Sequence, residues 1–375
     1  MHDVGVIGLG AMGAMALWHL AKRGVSAVGF EQFNLGNDRA AHSGETRLFR
    51  TAYLEGEQYV PVLRRSLEHW RELEQDTECR LLSLDGAISV GRSDHPAIAA
   101  IVDCVSKFNL SVELLSSADA NTRFPGLNVM PDEIAVLDRA GGILAAELSV
   151  IAAATRAEQL GASIHRRVKV LSLEHDRAGV WIRTSSGDYR VRRAIVTAGA
   201  WIPSLLDCDQ AVSQLTLRRI NMTWFAARRS EKFMPAIFPA MMRFTHGRLF
   251  GIFPTQDGRT IKAGSESEIK EVAGPEDVPL RPDRDLAERT IAMIEAFYPD
   301  IFPEPLRTAF WTDTYTADHR PIVGPLPGRE NIILAAGFSG HGFKMAPTIG
   351  AAVSDYATKG LTDEPLDFMT PVARA

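Results

Sequence analysis

The 375-residue sequence predicts an α/β protein: a Rossmann-like domain assembled from separated pieces of chain, interleaved with a second α+β domain built on a mainly antiparallel sheet. Three observations lead to this class. The N-terminus reads as a buried strand, a glycine turn, a helix and a second strand. The middle of the chain, from Leu217 to Ile269, changes to alternating, aromatic-rich strands. Near the C-terminus another buried strand, from Asn331 to Ala336, runs into a second glycine-rich turn.

The opening unit is Val4-Gly5-Val6-Ile7 followed by Gly8-Leu9-Gly10-Ala11-Met12-Gly13, with Val25 to Phe30 ending on Glu31. Each glycine has its own task. Gly8 permits the tight turn, Gly10 lets backbone approach a phosphate without an intervening Cβ, and Gly13 lets the helix pack close on the strand. The helix start offers free N–H groups and partial positive charge, which suits a diphosphate. Glu31 stands 18 positions after Gly13, close to the roughly 20 expected for the acid that accepts ribose hydroxyls. A 2′-phosphate would be repelled there, so the unit reads as a site for an adenine dinucleotide other than NADP.

Composition narrows the class. A formal net charge of −5 without a long basic run gives no reason to expect nucleic acid or an anionic membrane surface. No apolar run of about 18 residues is present to span a bilayer. The N-terminus passes straight into a strand, which leaves no room for a cleavable leader, so a cytoplasmic protein is expected. Cys79, Cys104 and Cys208 stand far apart with no ligand spacing, and neither a disulfide framework nor a metal site is expected.

The remaining elements follow in order. Phe33 to Thr51 is irregular and dense in Gly, Asn, Arg and His. A helical period runs from Tyr59 to Glu74 through Val60, Leu63, Leu67, Trp70 and Leu73. Short strands are expected between Arg80 and Val90, a helix over Pro96 to Phe108, and another helix between Gly141 and Gly161. Val168 to Val191 reads as a three-strand meander that delivers the chain to the buried strand Arg193 to Trp201, whose small residues Ala198 and Gly199 let backbone lie against a ligand. Asp283 to Phe297 is helical, Pro303 to Pro305 is expected to break the chain, and Met345 to Thr358 continues the last glycine turn as a helix. The first domain is therefore assigned to 1–78, 142–211 and 320–375, and the second to 79–141 and 212–319.

Two segments carry a family resemblance: Gly44-Glu45-Thr46-Arg47-Leu48-Phe49-Arg50 with the following Ala52-Tyr53 and Glu55 to Pro61, and Ala335-Ala336-Gly337-Phe338-Ser339-Gly340-His341-Gly342-Phe343-Lys344. Over nearly its whole length the chain resembles the monomeric sarcosine oxidase and N-methyltryptophan oxidase group of D-amino-acid-oxidase-like flavoproteins. The resemblance implies FAD, with Gly8, Gly10, Ala11, Met12, Gly13 and Glu31 on its ADP half. Ser43, Thr46, Arg47, Val168, Ala198, Gly199, Trp201, Trp311, Gly337, Gly340, His341, Gly342, Phe343 and Lys344 complete the implied cofactor contacts. It also implies that Arg50 and Lys344 hold a substrate carboxylate, that Arg47 lies beside the flavin ring, and that Lys262 activates oxygen. These residue types suit those tasks: a guanidinium offers paired donors, and a buried ammonium stabilises charge developing on reduced oxygen.

Departures from the family pattern matter equally. The relatives join FAD through a cysteine, and the aligned residue is Trp311, so non-covalent FAD is expected. Ser43 replaces an imidazole, with His42 beside it. Glu266 and Asp313 replace a histidine and a tyrosine, so the two acids are expected to line the substrate pocket and to favour a polar or cationic amine substituent, unless Arg243 or Arg218 neutralises them. The function implied is an FAD-dependent amine oxidase. It converts the secondary amine of an N-substituted amino acid to an imine that hydrolyses to amine and carbonyl, and reduces O2 to H2O2. A dehydrogenase of the same fold passing electrons to a quinone or protein is the alternative. A non-catalytic nucleotide-binding subunit would have no use for Arg50 and Lys344 together, and an NAD dehydrogenase none for the second glycine segment. The expected partners are the small-molecule substrate and O2, and the expected state is a monomer.

Overall fold

The computed structural model describes residues 2–206, 211–245, 247–265, 270–276 and 284–371. Its first sheet is nucleated by the N-terminal unit: β1 (His2–Ile7), α1 (Ala11–Lys22) and β2 (Ala27–Glu31). β1 lies parallel between β2 and the strand Gly187–Val196, β2 pairs in parallel with Ser163–Arg166, and Arg329–Ala336 adds in parallel on the far side of Gly187–Val196. Strands buried on both faces need apolar side chains throughout, and Val4, Val6, Ile7, Val28 and Phe30 supply them. On one face, α1 packs against Ala146–Gln159 and Ala346–Lys359 in a core that includes Leu17, Trp18, Val150 and Ile349. Over the other face the meander Val170–Asp176, Gly179–Thr184 and Gly187–Val196 closes a second core with Ile7, Val28, Ile182 and Val196. The meander's last strand and the expected buried strand from Arg193 are one continuous ten-residue element.

Among the described residues the second sheet has nine strands. It runs Lys270–Glu271, Thr216–Ala227, Thr260–Ser265, Arg248–Phe253, Ala240–Thr245, Ala87–Arg92, Glu133–Asp138 and Val112–Ser116, with Ile301–Tyr315 on the outer edge of Thr216–Ala227. Among the described residues of this sheet, only Ala240–Thr245 and Ala87–Arg92 pair in parallel. The α/β class with a mainly antiparallel second sheet is thus as expected. Arg284–Phe297 packs on this sheet through Met293, Ile294 and Phe297. A small third sheet joins Thr46–Phe49, Gly142–Ala145 and Leu82–Ser83.

Two expectations need correction. Pro303 and Pro305 do not end the chain's regular structure. They lie within the fifteen-residue strand Ile301–Tyr315, whose other edge has no strand partner among the described residues and whose register slips twice near Phe225. Proline is tolerated there because an edge strand and its bulges leave N–H groups that no neighbour needs. The segment from Phe33 to Thr51 is not irregular throughout, since Thr46–Phe49 pairs with Gly142–Ala145.

Candidate active site

A single long cleft runs from the turn after β1 to the floor of the second sheet, lined at one end by Gly8, Gly10 and Glu31 and at the other by Arg50, Trp311 and Lys344. Its first end is shaped by glycine. Gly8 has φ +85, and a Cβ there would lie 2.7 Å from Ala198 Cα. A Cβ on Gly13 would come within 1.9 Å of the Gly8 carbonyl, so α1 lies against the turn with no room for a side chain. Gly10 differs: no protein atom lies nearer than 3.6 Å to its Cβ position, and this residue begins α1 without a side-chain cap. Open space, free helix N–H groups and the absence of an acid in the first turn of α1 form a cradle for a diphosphate.

Glu31 closes β2 over the same cleft. Its Oε2 accepts from Leu9 N at 3.0 Å and its Oε1 from Phe33 N at 2.9 Å. Burial raises its pKa, and the backbone donors oppose that rise. Each oxygen keeps lone-pair capacity for a ribose hydroxyl. Ala11, Met12, Val168, Ala198, Gly199 and Trp201 also line the cleft.

The opposite end is a buried cationic corner. Arg50 is 4% exposed and donates through Nη2 to Glu55 Oε1 at 2.6 Å, while its Nε and Nη1 have no hydrogen-bond partner among the described residues. Lys344 is 6% exposed and donates through Nζ to the His341 carbonyl at 2.8 Å. Both cations lie over the ring of Tyr53, Arg50 Cζ at 4.8 Å and Lys344 Nζ at 5.3 Å from its centroid. The Tyr53 hydroxyl bonds His341 Nδ1 at 2.8 Å, His341 Nε2 meets the His319 carbonyl at 2.9 Å, and Trp70 Nε1 donates to the Lys344 carbonyl at 2.9 Å. Burial, and next the Lys344 charge, push the His341 pKa down to about 4. For Glu55, burial alone would raise the pKa, yet Arg50 and then Lys344 hold it below the ordinary value. Two cations with unused guanidinium donors make a receptor for a carboxylate.

Between the two ends, Arg47 donates to the carbonyls of Thr46, Ala41 and Ser43 and lies 5.2 Å over the Trp311 ring. Burial lowers its pKa to about 10. Lys262 is buried in the strand Thr260–Ser265 and donates to Gly44 O at 2.8 Å, Thr46 O at 2.7 Å and Thr46 Oγ1 at 2.6 Å. Burial pushes its pKa well below the usual lysine range, and the neighbouring Arg47 adds to this. Asp313 accepts from Thr314 N at 2.8 Å and Gly340 N at 3.0 Å, and burial raises its pKa.

Of the residues singled out in the sequence, Arg47, Arg50, Trp311, Asp313, Gly340, His341, Gly342, Phe343 and Lys344 are brought together along the cleft. Gly13, Ser43, Thr46, Lys262 and Gly337 stand behind its wall rather than on it. Ser43 Oγ turns to the carbonyls of Asn37 and Ala40, both at 2.7 Å, and His42 faces the cleft instead with its Nε2 unpartnered. Burial lowers the His42 pKa to about 3. Glu266 lies outside the described residues, as does Cys208. Arg243 is spent on Glu133 at 3.1 Å, and Arg218 faces Glu271 at 3.8 Å, so neither ion pair involves Asp313. Sequence reasoning missed Glu55, which sits inside a recognised motif, and the buried Asn221 and Thr312, whose Nδ2 and Oγ1 are unpartnered on the cleft wall. Only pairing between distant strands brings Asn221 and Thr312 to the same wall.

Comparison with known proteins agrees with this geometry. Residues 3–356 match the family described as FAD dependent oxidoreductase. The monomeric sarcosine oxidase of Streptomyces avermitilis is 32% identical over 379 residues, covering 99% of this chain and 97% of that protein. The N-methyl-L-tryptophan oxidase of Citrobacter koseri is 28% identical over 360 residues, covering 95% and 94%. Among solved structures, the open form of NikD, an unusual amino acid oxidase essential for nikkomycin biosynthesis, superposes with a TM-score of 0.88 at 22% identity, covering 99% of this chain and 97% of that one. The glycine cradle, the carboxylate closing β2 and the match over most of the length lead to one conclusion: this chain belongs to the FAD dependent oxidoreductase family.

Proposed function

We propose that this chain is an FAD-dependent amine oxidase that takes an N-substituted amino acid, with its carboxylate held by Arg50 and Lys344 and O2 as the electron acceptor. The observation that carries the reading is the convergence of those two cations, from opposite ends of the sequence, on one buried Tyr53 ring. FAD fits the residues present, since the Gly10 position is open and the cleft-lining Trp311 and His42 each keep a buried ring nitrogen, Nε1 and Nε2, with no hydrogen-bond partner among the described residues. When bound, FAD supplies a two-electron acceptor for the substrate's C–H bond and returns those electrons to O2 as H2O2.

The chain's own residues position the reaction. Arg50 keeps Nε and Nη1, on different edges of the guanidinium, as single donors to a carboxylate while Nη2 stays with Glu55, and Lys344 adds a point charge. Fixing the carboxylate fixes the α-carbon and its amine, which supplies the entropic part of the acceleration. Trp311 and Phe338 give the cleft buried aromatic lining, and the imine product is hydrolysed by water to amine and carbonyl. Lys262 and Arg47 concentrate positive charge behind the Gly44 to Thr46 turn, where it favours negative charge on the cofactor and on reduced oxygen.

Two finer statements belong to the proposal. FAD is held without a covalent bond, supported by Trp311 in place of a thiol and by the position of Cys79 and Cys104 off the cleft. The amine substituent carries hydrogen-bonding groups, supported by the unpartnered Asn221 and Thr312. We also take the chain to be a cytoplasmic monomer, with the domain division drawn from the sequence. No described helix is long and apolar enough to cross a membrane. The test is to mix purified protein anaerobically with a panel of N-alkyl, cyclic and sugar-linked amino acids. Substrate bleaches the flavin bands, and readmitted air yields peroxide. A protein that binds no FAD, or bleaching that air does not reverse, removes the oxidase reading. Acid precipitation is expected to release the yellow cofactor into the supernatant.

A further inference from the structure

Lys262, behind the cleft wall, and Arg47, on it, share one anchor. Lys262 and Arg47 both donate to carbonyls of one short turn, from Ser43 to Thr46. Two successive residues of that turn have positive φ, Gly44 at +101 and Glu45 at +73, and the second is a non-glycine residue in a region that side chains avoid. Such a conformation persists only where its surroundings hold it. Glu147 does so: its Oε1 accepts from Gly44 N at 2.6 Å and Glu45 N at 3.1 Å, and its Oε2 from Glu45 N at 2.9 Å. The neighbouring Ala146 N donates back to the Glu45 carbonyl at 2.8 Å.

Glu147 lies in the first turn of the helix Ala146–Gln159, where an acid would ordinarily serve its own helix. Here the helix has no side-chain cap, and the carboxylate's hydrogen bonds among the described residues go to the distant turn. With its N–H groups held on Glu147, the turn aims the carbonyls of Gly44 and Thr46 at Lys262 and those of Ser43 and Thr46 at Arg47. We infer that Glu147 is a positioning residue for the flavin-side chemistry, fixing the carbonyl cradle of Lys262 and Arg47 and supplying the negative charge the two buried cations share. Burial drives the pKa of both cations down, and Glu147 opposes this in both. The other charges facing Lys262 are Arg47 and Glu45 on the turn and its strand, and Arg307 on the strand Ile301–Tyr315. Glu45 is itself tied outward, through Oε1 to Arg307 and Oε2 to Trp224 Nε1 at 3.1 Å.

The inference rests on the oxygen-side role proposed for Lys262, and its test separates the two. Full-length protein labelled with 13C at lysine Cε is titrated by NMR, the Lys262 resonance being assigned with Lys262→Met. Reoxidation by O2 is followed after dithionite reduction, which needs no substrate. In Glu147→Gln the Lys262 resonance is expected to titrate at lower pH than in wild type. Reoxidation is expected to slow roughly 10- to 100-fold, the scale of a misplaced catalytic group. Glu147→Asp, which keeps the charge, is expected to recover the titration and part of the rate. It also serves if the glutamine variant does not fold. A glutamine variant with lowered thermal stability but wild-type Lys262 titration and reoxidation would reduce Glu147 to a structural tie and overturn the inference. If Lys262→Met itself reoxidises at the wild-type rate, the oxygen role falls, while the NMR titration still decides the coupling.

Discussion

The same substitution at two glycines three positions apart should break different properties of this protein. At Gly13 an added methyl would sit 1.9 Å from the Gly8 carbonyl oxygen and 2.6 Å from Thr197 Oγ1, itself bonded to that carbonyl at 2.8 Å. Restoring an ordinary contact requires α1 to move by roughly 1.5 Å. Backbone on both sides makes this the costly end of overpacking, about 3 kcal/mol, which corresponds to a fall in Tm of roughly 4 °C in a chain of 375 residues. At Gly10 the added methyl meets only His42 Nδ1 at 3.6 Å, an ordinary contact, and φ −74 suits alanine. The expected loss of stability is that of an alanine at a helix cap, about 1 kcal/mol or less. That methyl nevertheless projects between the helix N–H groups and the space proposed for the diphosphate, so FAD affinity is expected to fall about 100-fold, or roughly 3 kcal/mol. Apoprotein Tm by circular dichroism and flavin per chain after desalting read the two effects separately. Gly10→Ala that retains FAD with the wild-type Kd would refute the placement of the phosphates, and Gly13→Ala with an unchanged Tm would refute the packing argument.

Three further outcomes can be checked. Arg50→Ala should weaken binding of simple carboxylates such as acetate, read from perturbation of the flavin bands, by about 100-fold, because a charge-assisted hydrogen bond contributes about 1.5–3 kcal/mol; equal affinity would remove Arg50 from the site. His341 has a pKa of about 4 in the fold against 6.5 unfolded, so its contribution is complete above pH 6.5 and is lost as pH falls through 4. That window is worth about 3 kcal/mol, and urea unfolding at pH 7.5 and 4.5 should show a smaller difference in His341→Gln than in wild type, an unchanged difference counting against the assignment. Lys262→Met should slow reoxidation of dithionite-reduced enzyme by about tenfold or more while leaving FAD content intact, as stopped-flow absorbance would show.

Much of the fold was legible because it is written locally. The turn after β1 needs glycine for reasons that act within a few residues, and the helices Pro96–Phe108 and Ala346–Lys359 announce themselves by proline at their start and an αL residue, Asn109 or Gly360, at their end. The strand Glu133–Asp138 carries no such local signal, because its apolar run is short and gains meaning only from a partner far along the chain. The site followed the same division. Arg50 and Lys344 lie in recognisable motifs, whereas the choice between His42 and Ser43 depends on a single residue's rotation of the backbone. Glu147 resembles an ordinary helix-start acid until the turn it holds is seen.

The strand Arg329–Ala336 lies in the first sheet directly against Gly187–Val196, whose other edge carries β1. During synthesis the opening βαβ unit must therefore wait for almost the entire chain before its sheet and its cleft are complete. Until then the Ala194–Val196 end of Gly187–Val196 and the faces of α1 and Ala146–Gln159 that pack on Ala346–Lys359 or its neighbours stand exposed, a late and non-local closure of the kind that folds slowly and invites aggregation. Yellow colour should accordingly appear only after release from the ribosome, and chains truncated before residue 329 should gather in the insoluble fraction however much flavin the cell provides.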